Sequence, residues 1–203
     1  MPAIKKVSKE AIMDAAVDVL REGGFASINA RSVAKKLGCS TQPIYMSFQN
    51  MDELKSAMSE RAIAMHTQQV YDILRKRDDR NSCYSHYSRY SSYGMGFVKF
   101  AAEEKQLFRW LYLEGKQFGN YQSDVLFSEI IQVIVEEFGY SREIAEKLHK
   151  DMTYYSYGLA ILANTDHLNL TDAELLETFR REFRALAVYY GVSAKQQDEP
   201  GKA

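Results

Sequence analysis

Hydrophobic and polar positions along this chain repeat with the period of an α-helix over most of its length. The first such pattern covers residues 9–22, where apolar residues recur at spacings of three and four: Ile12, Ala15, Ala16, Val19 and Leu20. This spacing places them on one face of an amphipathic helix. Ser8 is expected to cap the helix, and the pair Gly23 and Gly24 is expected to end it.

Two short helices joined by a glycine-containing turn are predicted next. Asn29 is a typical N-cap for the first helix, and Gly38 supplies the left-handed residue that ends it. Ser40 is expected to cap the second helix, with Pro43 in its first turn, where the missing N–H is not needed. Two short helices in this arrangement form a helix-turn-helix, whose second helix can enter the major groove of DNA.

The remainder of the chain is also predicted to be helical. The capping-box pairs Asn50 with Glu53 and Thr171 with Glu174 mark two helix starts. The helical patterns cover residues 52–77, 84–104, 105–113, 124–138, 141–166 and 172–190. The fold is therefore predicted to be all-α. Its expected parts are a three-helix DNA-binding head at 1–51, a larger helical domain at 52–192 and a flexible tail at 193–203.

Composition and charge narrow the possible functions. The chain has 203 residues, of which 46% are hydrophobic, and this is enough for a sizeable core. A net charge of −1 argues against a wholly basic nucleic-acid coat protein. Residues 1–60 contain eight Lys or Arg against seven Asp or Glu, so phosphate binding depends on local clusters of cations. These clusters are Lys5, Lys6 and Lys9, and then Arg31, Lys35 and Lys36.

Other kinds of site are not indicated by the sequence. The four histidines and two cysteines lack the spacing of metal ligands, so no metal and no cofactor are expected. No acid–base pair or activated nucleophile is apparent in the sequence, so we do not expect the protein to be an enzyme and name no catalytic residue. No apolar run approaches the ~18–20 residues of a membrane span. Since a signal peptide and a disulfide framework are also lacking, we expect a cytoplasmic protein with no membrane association.

Residues 10–55 resemble the N-terminal domain of the TetR family of bacterial transcriptional regulators. The matching residues are Ile12, Ala15, Ala16, Gly24, Phe25, Arg31, Ser32, Val33, Ala34, Leu37, Gly38, Ser40, Tyr45, Phe48, Asp52, Glu53 and Leu54. The rest of the chain is similar to the family only in outline. The resemblance implies a homodimeric, ligand-responsive repressor that binds a near-palindromic operator in double-stranded DNA and is released by a small-molecule effector.

The resemblance also assigns candidate DNA-binding residues. Arg31 falls where relatives often contact a guanine edge, which suits the bidentate arginine side chain. Gln42 is suited to adenine, and Tyr45 to a phosphate or a thymine methyl group. Pro43 and Met46 either contact DNA or only pack. The residues placed on the recognition helix are Ser40, Thr41, Gln42, Pro43, Tyr45 and Met46.

One departure from the family concerns the phosphate contacts. Many relatives have a lysine near the start of the fourth helix, where this chain has Met51. The N-terminus of that helix, and Lys55 one turn further on, are left to bind phosphate. The near-neutral head and Met51 leave a second hypothesis open, which is a small-molecule-binding helical protein with weak or lost DNA binding.

An aromatic series lies on one face of the helix predicted at 84–104: Tyr84, Tyr87, Tyr90, Tyr93, Phe97 and Phe100. Such a series is usually core, but four tyrosines are unusual for a dry core because each buried hydroxyl requires a partner. The resemblance implies a ligand cavity among the helices predicted at 84–104, 124–138 and 141–166, which would suit a flat or partly apolar effector. Candidate ligand contacts are Tyr90, Tyr93 and Phe97, with Trp110, Tyr121 and Tyr154 as weaker candidates.

The last two predicted helices each carry an apolar seam. Its members are Leu148, Met152, Tyr155, Leu159 and Leu162 in one helix, and Phe179, Phe183, Leu186 and Tyr190 in the other. Gly158 would permit close approach of another backbone. The two seams could pack on each other within one subunit. They could also form a four-helix dimer interface with two helices from each subunit, and the resemblance favours this interpretation.

Overall fold

The computed structural model of the chain describes residues 7–79, 85, 87–114 and 126–192, and its regular elements there are all helical. A 3₁₀ turn, Phe25–Ser27, follows the first helix, and a π-helical segment, Arg109–Leu113, continues directly from the sixth. The all-α prediction is confirmed. The α-helices are α1 (Lys9–Gly23), α2 (Ala30–Leu37), α3 (Gln42–Ser47), α4 (Met51–Asp78), α5 (Arg89–Glu103), α6 (Lys105–Phe108), α7 (Phe127–Phe138), α8 (Arg142–Asn164) and α9 (Asp172–Tyr189).

Two predicted helices differ from the observed ones. The helix predicted at 84–104 begins at Arg89 in the structure, and Tyr84 lies outside the described residues. The helix predicted at 105–113 is one turn of α-helix followed by the π-helical segment. There the Glu114 N–H donates to the Arg109 carbonyl five residues earlier, at 2.9 Å. Periodicity alone does not distinguish such a widened turn from an α-helix.

The start of α2 is capped as predicted. The Asn29 side-chain oxygen accepts the N–H groups of Arg31 and Ser32, both at 3.0 Å. In return, the Ser32 hydroxyl accepts the Asn29 N–H at 3.1 Å. These bonds satisfy N–H groups that a helix start otherwise leaves without partners.

The predicted cap of α3 is wrong. Thr41, not Ser40, is the N-cap residue, and its side chain makes no capping hydrogen bond. The Thr41 backbone already has helical dihedral angles, with φ −73° and ψ −12°. An N-cap residue whose side chain makes the capping bond usually has an extended backbone instead. Pro43 lies in the first turn as predicted.

The capping pair before α4 differs from the prediction by one bond. The Glu53 N–H donates to the Asn50 side chain at 2.9 Å, as expected. However, the Glu53 carboxylate accepts the N–H of Gln49 at 2.7 Å, one residue earlier than in a standard capping box.

The chain divides into two compact units whose bounds differ from the predicted domains. The first unit is Met1–Met65 with Glu104–Lys116, and the second is His66–Glu103 with Gln117–Ala203. The predicted boundary at residues 51 and 52 is too early because the first half of α4 contributes Leu54, Met58 and Ala62 to the buried core. The helix α4 therefore begins in the first unit and ends in the second.

The segment after α5 belongs to the first unit because it packs on α1. The Arg21 guanidinium binds the Glu104 carboxylate through two nitrogens, one of them Nε at 2.8 Å. The Trp110 ring stacks on Phe25 with centroids 6.4 Å apart. Both contacts join residues more than eighty positions apart, which local sequence patterns cannot indicate.

The second unit is built around α5, which packs against α7, α8 and α9. Gly96 allows α5 to approach the second half of α4 closely. A Cβ atom added to Gly96 would lie 2.6 Å from Val70 Cγ2 and 3.1 Å from Val70 Cα. No side chain fits in this space, so Gly96 is required for the α4–α5 packing.

The caps of α2 and α3 provide a matched pair of substitutions. We expect Asn29→Ala to lower the free energy of unfolding by about 1 kcal/mol, because two N–H groups lose their acceptor. Thr41→Ala should change it by less than about 0.5 kcal/mol, since no capping bond is lost. Urea denaturation of both variants measures the difference. An equal loss of stability in the two variants would contradict this account of the caps.

Candidate nucleic-acid interface

The second helix of the helix-turn-helix, α3, is held in place by its apolar side. Ile44 and Phe48 are almost completely buried. The ammonium group of Lys9 lies over the Phe48 ring, 4.7 Å from its centroid. A helix of six residues has little stability of its own, so this burial fixes its orientation.

The opposite side of α3 is open to solvent. Its exposed face consists of Gln42, Tyr45 and Met46, and Gln49, which follows the extended residue Phe48 beyond the helix end, is exposed as well. Tyr45 is 54% exposed, and Met46 is 80% exposed, the highest value among the large hydrophobic side chains of the described residues. None of the four side chains carries a charge.

A left-handed glycine turns the chain from α2 towards α3. Gly38 has φ 66° and ψ 34°, and its N–H donates to the Lys35 carbonyl at 3.2 Å. The Cys39 N–H reaches back to the Ala34 carbonyl at 3.0 Å, which completes a C-terminal capping motif. A Cβ atom at Gly38 would meet nothing within 4 Å, so glycine is favoured here by its conformation rather than by space.

Two cations of α2 extend into solvent. Arg31 and Lys35 are one helical turn apart, and both are exposed. Within the described parts of the chain, neither side chain is bound by a carboxylate. Both are therefore available to bind phosphate or a base edge.

Other cations of the first unit are bound by carboxylates. Their partners are three acidic residues of α1 together with Glu53 and Glu104. Lys36 binds Glu22, and this hydrogen bond raises the pKa of its ammonium group. The other ion pairs found among the described residues of this unit are Lys9 with Glu53 at 4.0 Å, Lys36 with Asp18 at 3.8 Å, Arg61 with Asp14 at 2.9 Å, and Arg21 with Asp18 at 3.6 Å and with Glu104.

The predicted phosphate contacts near the start of α4 are weakened by their surroundings. The Lys55 ammonium group lies over the Phe25 ring, 4.9 Å from its centroid. The first turn of α4 carries Asp52 and Glu53, which repel a phosphate from the helix N-terminus. The role predicted for Lys55 stays a prediction, and fulfilling it would require the contact with Phe25 to be exchanged for one with phosphate.

The other predicted DNA-binding residues lie around α3. Ser40 is exposed in the turn, whereas Thr41 and Pro43 are half-buried at the start of the helix. Gln42, Tyr45 and Met46 share the exposed face. Gln49 is not among the predicted contacts; it is exposed directly after α3, and because Phe48 is extended, no helical spacing relates it to Tyr45.

In the second unit, the buried tyrosines of α5 have partners within the protein. The Tyr90 hydroxyl lies 3.2 Å from His149 Nδ1. The Tyr93 hydroxyl donates to Glu129 at 2.5 Å, and Tyr71 donates to the same carboxylate at 2.9 Å. Burial and the Glu129 carboxylate raise the pKa of Tyr93 above its ordinary value. The helical spacing that predicts the tyrosine series does not indicate His149, Glu129 or Tyr71, since it does not pair residues from different helices.

The remaining candidate ligand contacts are not brought together. Phe97 packs against Tyr157 with ring centroids 5.0 Å apart. Trp110 lies in the first unit, stacked on Phe25, and so is not part of the predicted cavity in the larger domain. Tyr154 is exposed on α8, and Tyr121 lies outside the described residues.

Much of the predicted dimer seam is filled by the subunit's own core. Met152, Leu159, Phe179 and Phe183 are buried in the second unit. The Phe183 ring lies 4.5 Å from that of Phe138, centroid to centroid. The burial of these four residues within the subunit agrees with the alternative of intramolecular packing, and a dimer contact for them stays a prediction. Tyr155 and Leu186 are half-buried, and Gly158 and Leu162 are exposed.

A different set of apolar side chains is exposed on the last two helices. Val188 and Tyr189 on α9 are each 78% exposed. On α8, the exposed apolar residues are Tyr154, Ile161 and Leu162, and they flank Gly158, at which an added Cβ would meet nothing within 4 Å. These exposed residues of α8 and α9 are called the outer apolar face of the second unit, and large exposed apolar patches commonly mark an interface.

The described residues show neither a metal-binding cluster nor a membrane span. No group of three or more His, Cys, Asp or Glu side chains there could hold a metal ion. None of the described helices is both long enough and apolar enough to cross a membrane.

Comparison with known proteins agrees with this geometry. The model of the family described as bacterial regulatory proteins, tetR family, matches residues 12–58. No curated protein matches the chain significantly.

Two solved structures have the same fold. A TetR family protein from Vibrio parahaemolyticus is 16% identical, with a TM-score of 0.56, and the match covers 87% of this chain and 96% of that one. A TetR-like transcriptional regulator from Rhodococcus sp. RHA1 is 19% identical, with a TM-score of 0.59 and coverages of 88% and 95%.

Two histidines of the second unit make its stability depend on pH. Burial lowers the pKa of His66 and of His149 to about 4, whereas an unfolded histidine titrates near 6.5. Both are neutral in the folded protein at pH 7, so their contribution is complete above about pH 6.5 and is lost as the pH falls towards 4. Between these two pH values, each histidine can lower the free energy of unfolding by up to about 1.4 kcal/mol for every unit by which the pH falls.

Urea denaturation between pH 7.5 and pH 5 tests this expectation. His149→Gln keeps an acceptor for Tyr90 and should flatten the pH dependence relative to the unsubstituted chain. His167→Gln, at an exposed position, is the control and should leave the slope unchanged. Parallel pH profiles for His149→Gln and the unsubstituted protein would refute the role given to this imidazole.

Proposed function

We propose that this chain, whose N-terminal domain belongs to the tetR family of bacterial regulatory proteins, is a homodimeric repressor released from its operator by a small molecule. The observation that carries the proposal is the exposed face of α3. It lies on the second helix of a helix-turn-helix, where proteins of this architecture contact the major groove. Beside it on α2, Arg31 and Lys35 are available for a guanine edge and for phosphate.

A dimer would place two such helices on one duplex. In a two-fold dimer, the recognition helices meet half-sites about one helical turn (~34–36 Å) apart, which requires a near-palindromic operator. The outer apolar face of α8 and α9 supports this assembly. In a monomer, the apolar side chains of Val188 and Tyr189 stay exposed to water, which is unfavourable. In the dimer, the interface would cover most of their surface.

Release by an effector requires a ligand that binds one conformation better than the other. The polar groups that such a ligand would contact are set among aromatic rings in the second unit and include Tyr93, Glu129 and Tyr71, whose mutual hydrogen bonds it would have to replace. The helix α4 runs without interruption from the first unit into the second, so it is the element that we propose carries a change from one unit to the other. Mass spectrometry of small molecules retained on the purified protein would identify the effector class.

A second candidate is a small-molecule-binding protein with weak or lost DNA binding. The observation that favours it is the engagement of five cations of the first unit, Lys9, Arg21, Lys36, Lys55 and Arg61, within the protein itself. Affinity for duplex DNA falls with each phosphate contact that is missing. DNA-binding measurements distinguish the two candidates.

Adjacent lysines on α2 provide the sharpest test of DNA binding. We expect a specific complex in gel-shift titrations with DNA from around the protein's own gene. Plots of log Kd against log salt should be shallower by about two units for Lys35→Gln, because a dimer loses two phosphate contacts. Lys36→Gln is the matched control and should leave the slope nearly unchanged, since Glu22 and Asp18 already bind this lysine.

Two outcomes would count against the repressor. The absence of any specific complex at low salt, with circular dichroism showing a folded protein, would favour the second candidate. Equal changes of slope for Lys35→Gln and Lys36→Gln would mean that the ion pairs of α1 do not withhold Lys36 from DNA.

The dimer has its own test on α9. Val188→Glu introduces a carboxylate on the outer apolar face, twice per dimer, at a position that contributes little to the subunit core. We expect the dimer dissociation constant to rise at least roughly 30-fold, because an unpaired charge at an interface costs about 2 kcal/mol or more. Sedimentation equilibrium measures it. Met46→Glu, an equally exposed apolar position on α3, is the control and should remain dimeric.

A further inference from the structure

The segment that presents the exposed face of α3 carries no charge over fifteen residues. Residues 37–51 contain no Asp, Glu, Lys or Arg. Guanine is most often recognised by the paired N–H groups of an arginine or by a lysine. Since α3 carries neither, it lacks the usual means of selecting a guanine.

The cations that flank α3 do not remove this limitation. Lys9 and Lys55 lie over aromatic rings, and Lys36 is bound by Glu22 and Asp18. Among the described cations of residues 7–65, Arg31 and Lys35 are those for which the structure shows neither a carboxylate nor a ring as partner. Both belong to α2, so a guanine in the half-site would lie under α2 rather than under α3.

The exposed face of α3 is instead suited to A·T base pairs. The side-chain amides of Gln42 and Gln49 can donate to N7 and accept from N6 of adenine. Met46 and the ring of Tyr45 are large apolar groups exposed to solvent. In the major groove, the apolar counterpart to such groups is the C5-methyl group of thymine.

We propose that α3 recognises a run of A·T base pairs through thymine methyl groups, with Met46 as the principal methyl contact and the glutamines on adenine. The inference rests on the proposed function and deepens it by naming the base composition of the operator under this helix. It also implies that specificity at these positions comes from apolar contact, which is insensitive to salt, whereas phosphate contacts set the salt dependence.

Selection of bound duplexes from a random library, with the full-length chain, tests the base composition first. The selection is carried out with the unsubstituted protein and with Met46→Ala. We expect A·T pairs at the half-site positions whose preference relaxes in the Met46→Ala selection, and any retained guanine at other positions. Identical preferences in the two selections, or G·C pairs at the positions that relax, would overturn the inference while leaving the repressor intact.

Removal of single methyl groups from the selected site tests the contact itself. Replacing one of these thymines by deoxyuracil removes only the C5-methyl group. We expect the unsubstituted protein to bind about fourfold more weakly for each methyl lost, since one buried methyl is worth about a factor of four in affinity. Met46→Ala should bind the thymine and uracil duplexes equally, and Met46→Leu should retain the discrimination. A uracil outside the half-sites is the control and should have no effect.

The two experiments separate this inference from the function on which it rests. Enrichment of a sequence that the unsubstituted protein binds equally well with thymine or uracil would refute the methyl contact alone. Failure to enrich any sequence would refute the repressor, and the inference would fall with it.

Discussion

A six-residue helix has almost no stability in water, so α3 depends on the burial of Ile44 and Phe48 in the first unit. This burial does more than form the helix. With one side fixed in the core, the opposite side must face solvent, and Gln42, Tyr45 and Met46 are presented together. The left-handed Gly38 sets where the helix begins, and Pro43 stabilises its first turn at no cost in hydrogen bonds. The exposed face of α3 is thus a consequence of core packing.

The charges of the first unit serve mainly to hold its helices together. Carboxylates on α1 bind cations of α2 and α4, and Arg21 on α1 binds Glu104. Each exposed pair contributes little to stability by itself. Their combined effect on function is larger, because a cation held by a carboxylate attracts phosphate less. The near-neutral net charge therefore does not show how many cations are available. In the described part of this unit, fewer cations are available to a nucleic acid than that charge suggests.

Local chemistry made much of the fold predictable, and long-range packing made the rest unpredictable. Asn29, Gly38 and Thr171 act within a turn of their own helix, so spacing was enough to place their caps. The contacts of Glu104 with Arg21 and of Trp110 with Phe25 leave no periodic signal, and Trp110 was therefore assigned to the wrong unit. Periodicity also shows that a helix face is apolar without showing what covers it. For this reason Met152 and Phe179 were predicted at a dimer interface, although the subunit's own core buries them.

The discontinuity of the first unit limits how this protein can be re-engineered. A natural way to retarget a regulator is to exchange its N-terminal segment for that of a relative, cutting near the middle of α4. In this chain, such a chimera would separate Arg21 and Phe25 from Glu104 and Trp110, which are encoded after α5. The transplanted segment would lack the residues that pack on it in its own protein. The rest of this chain would keep the Glu104 carboxylate and the Trp110 indole without their partners. A functional exchange must carry both stretches of sequence, or redesign the surface where they meet.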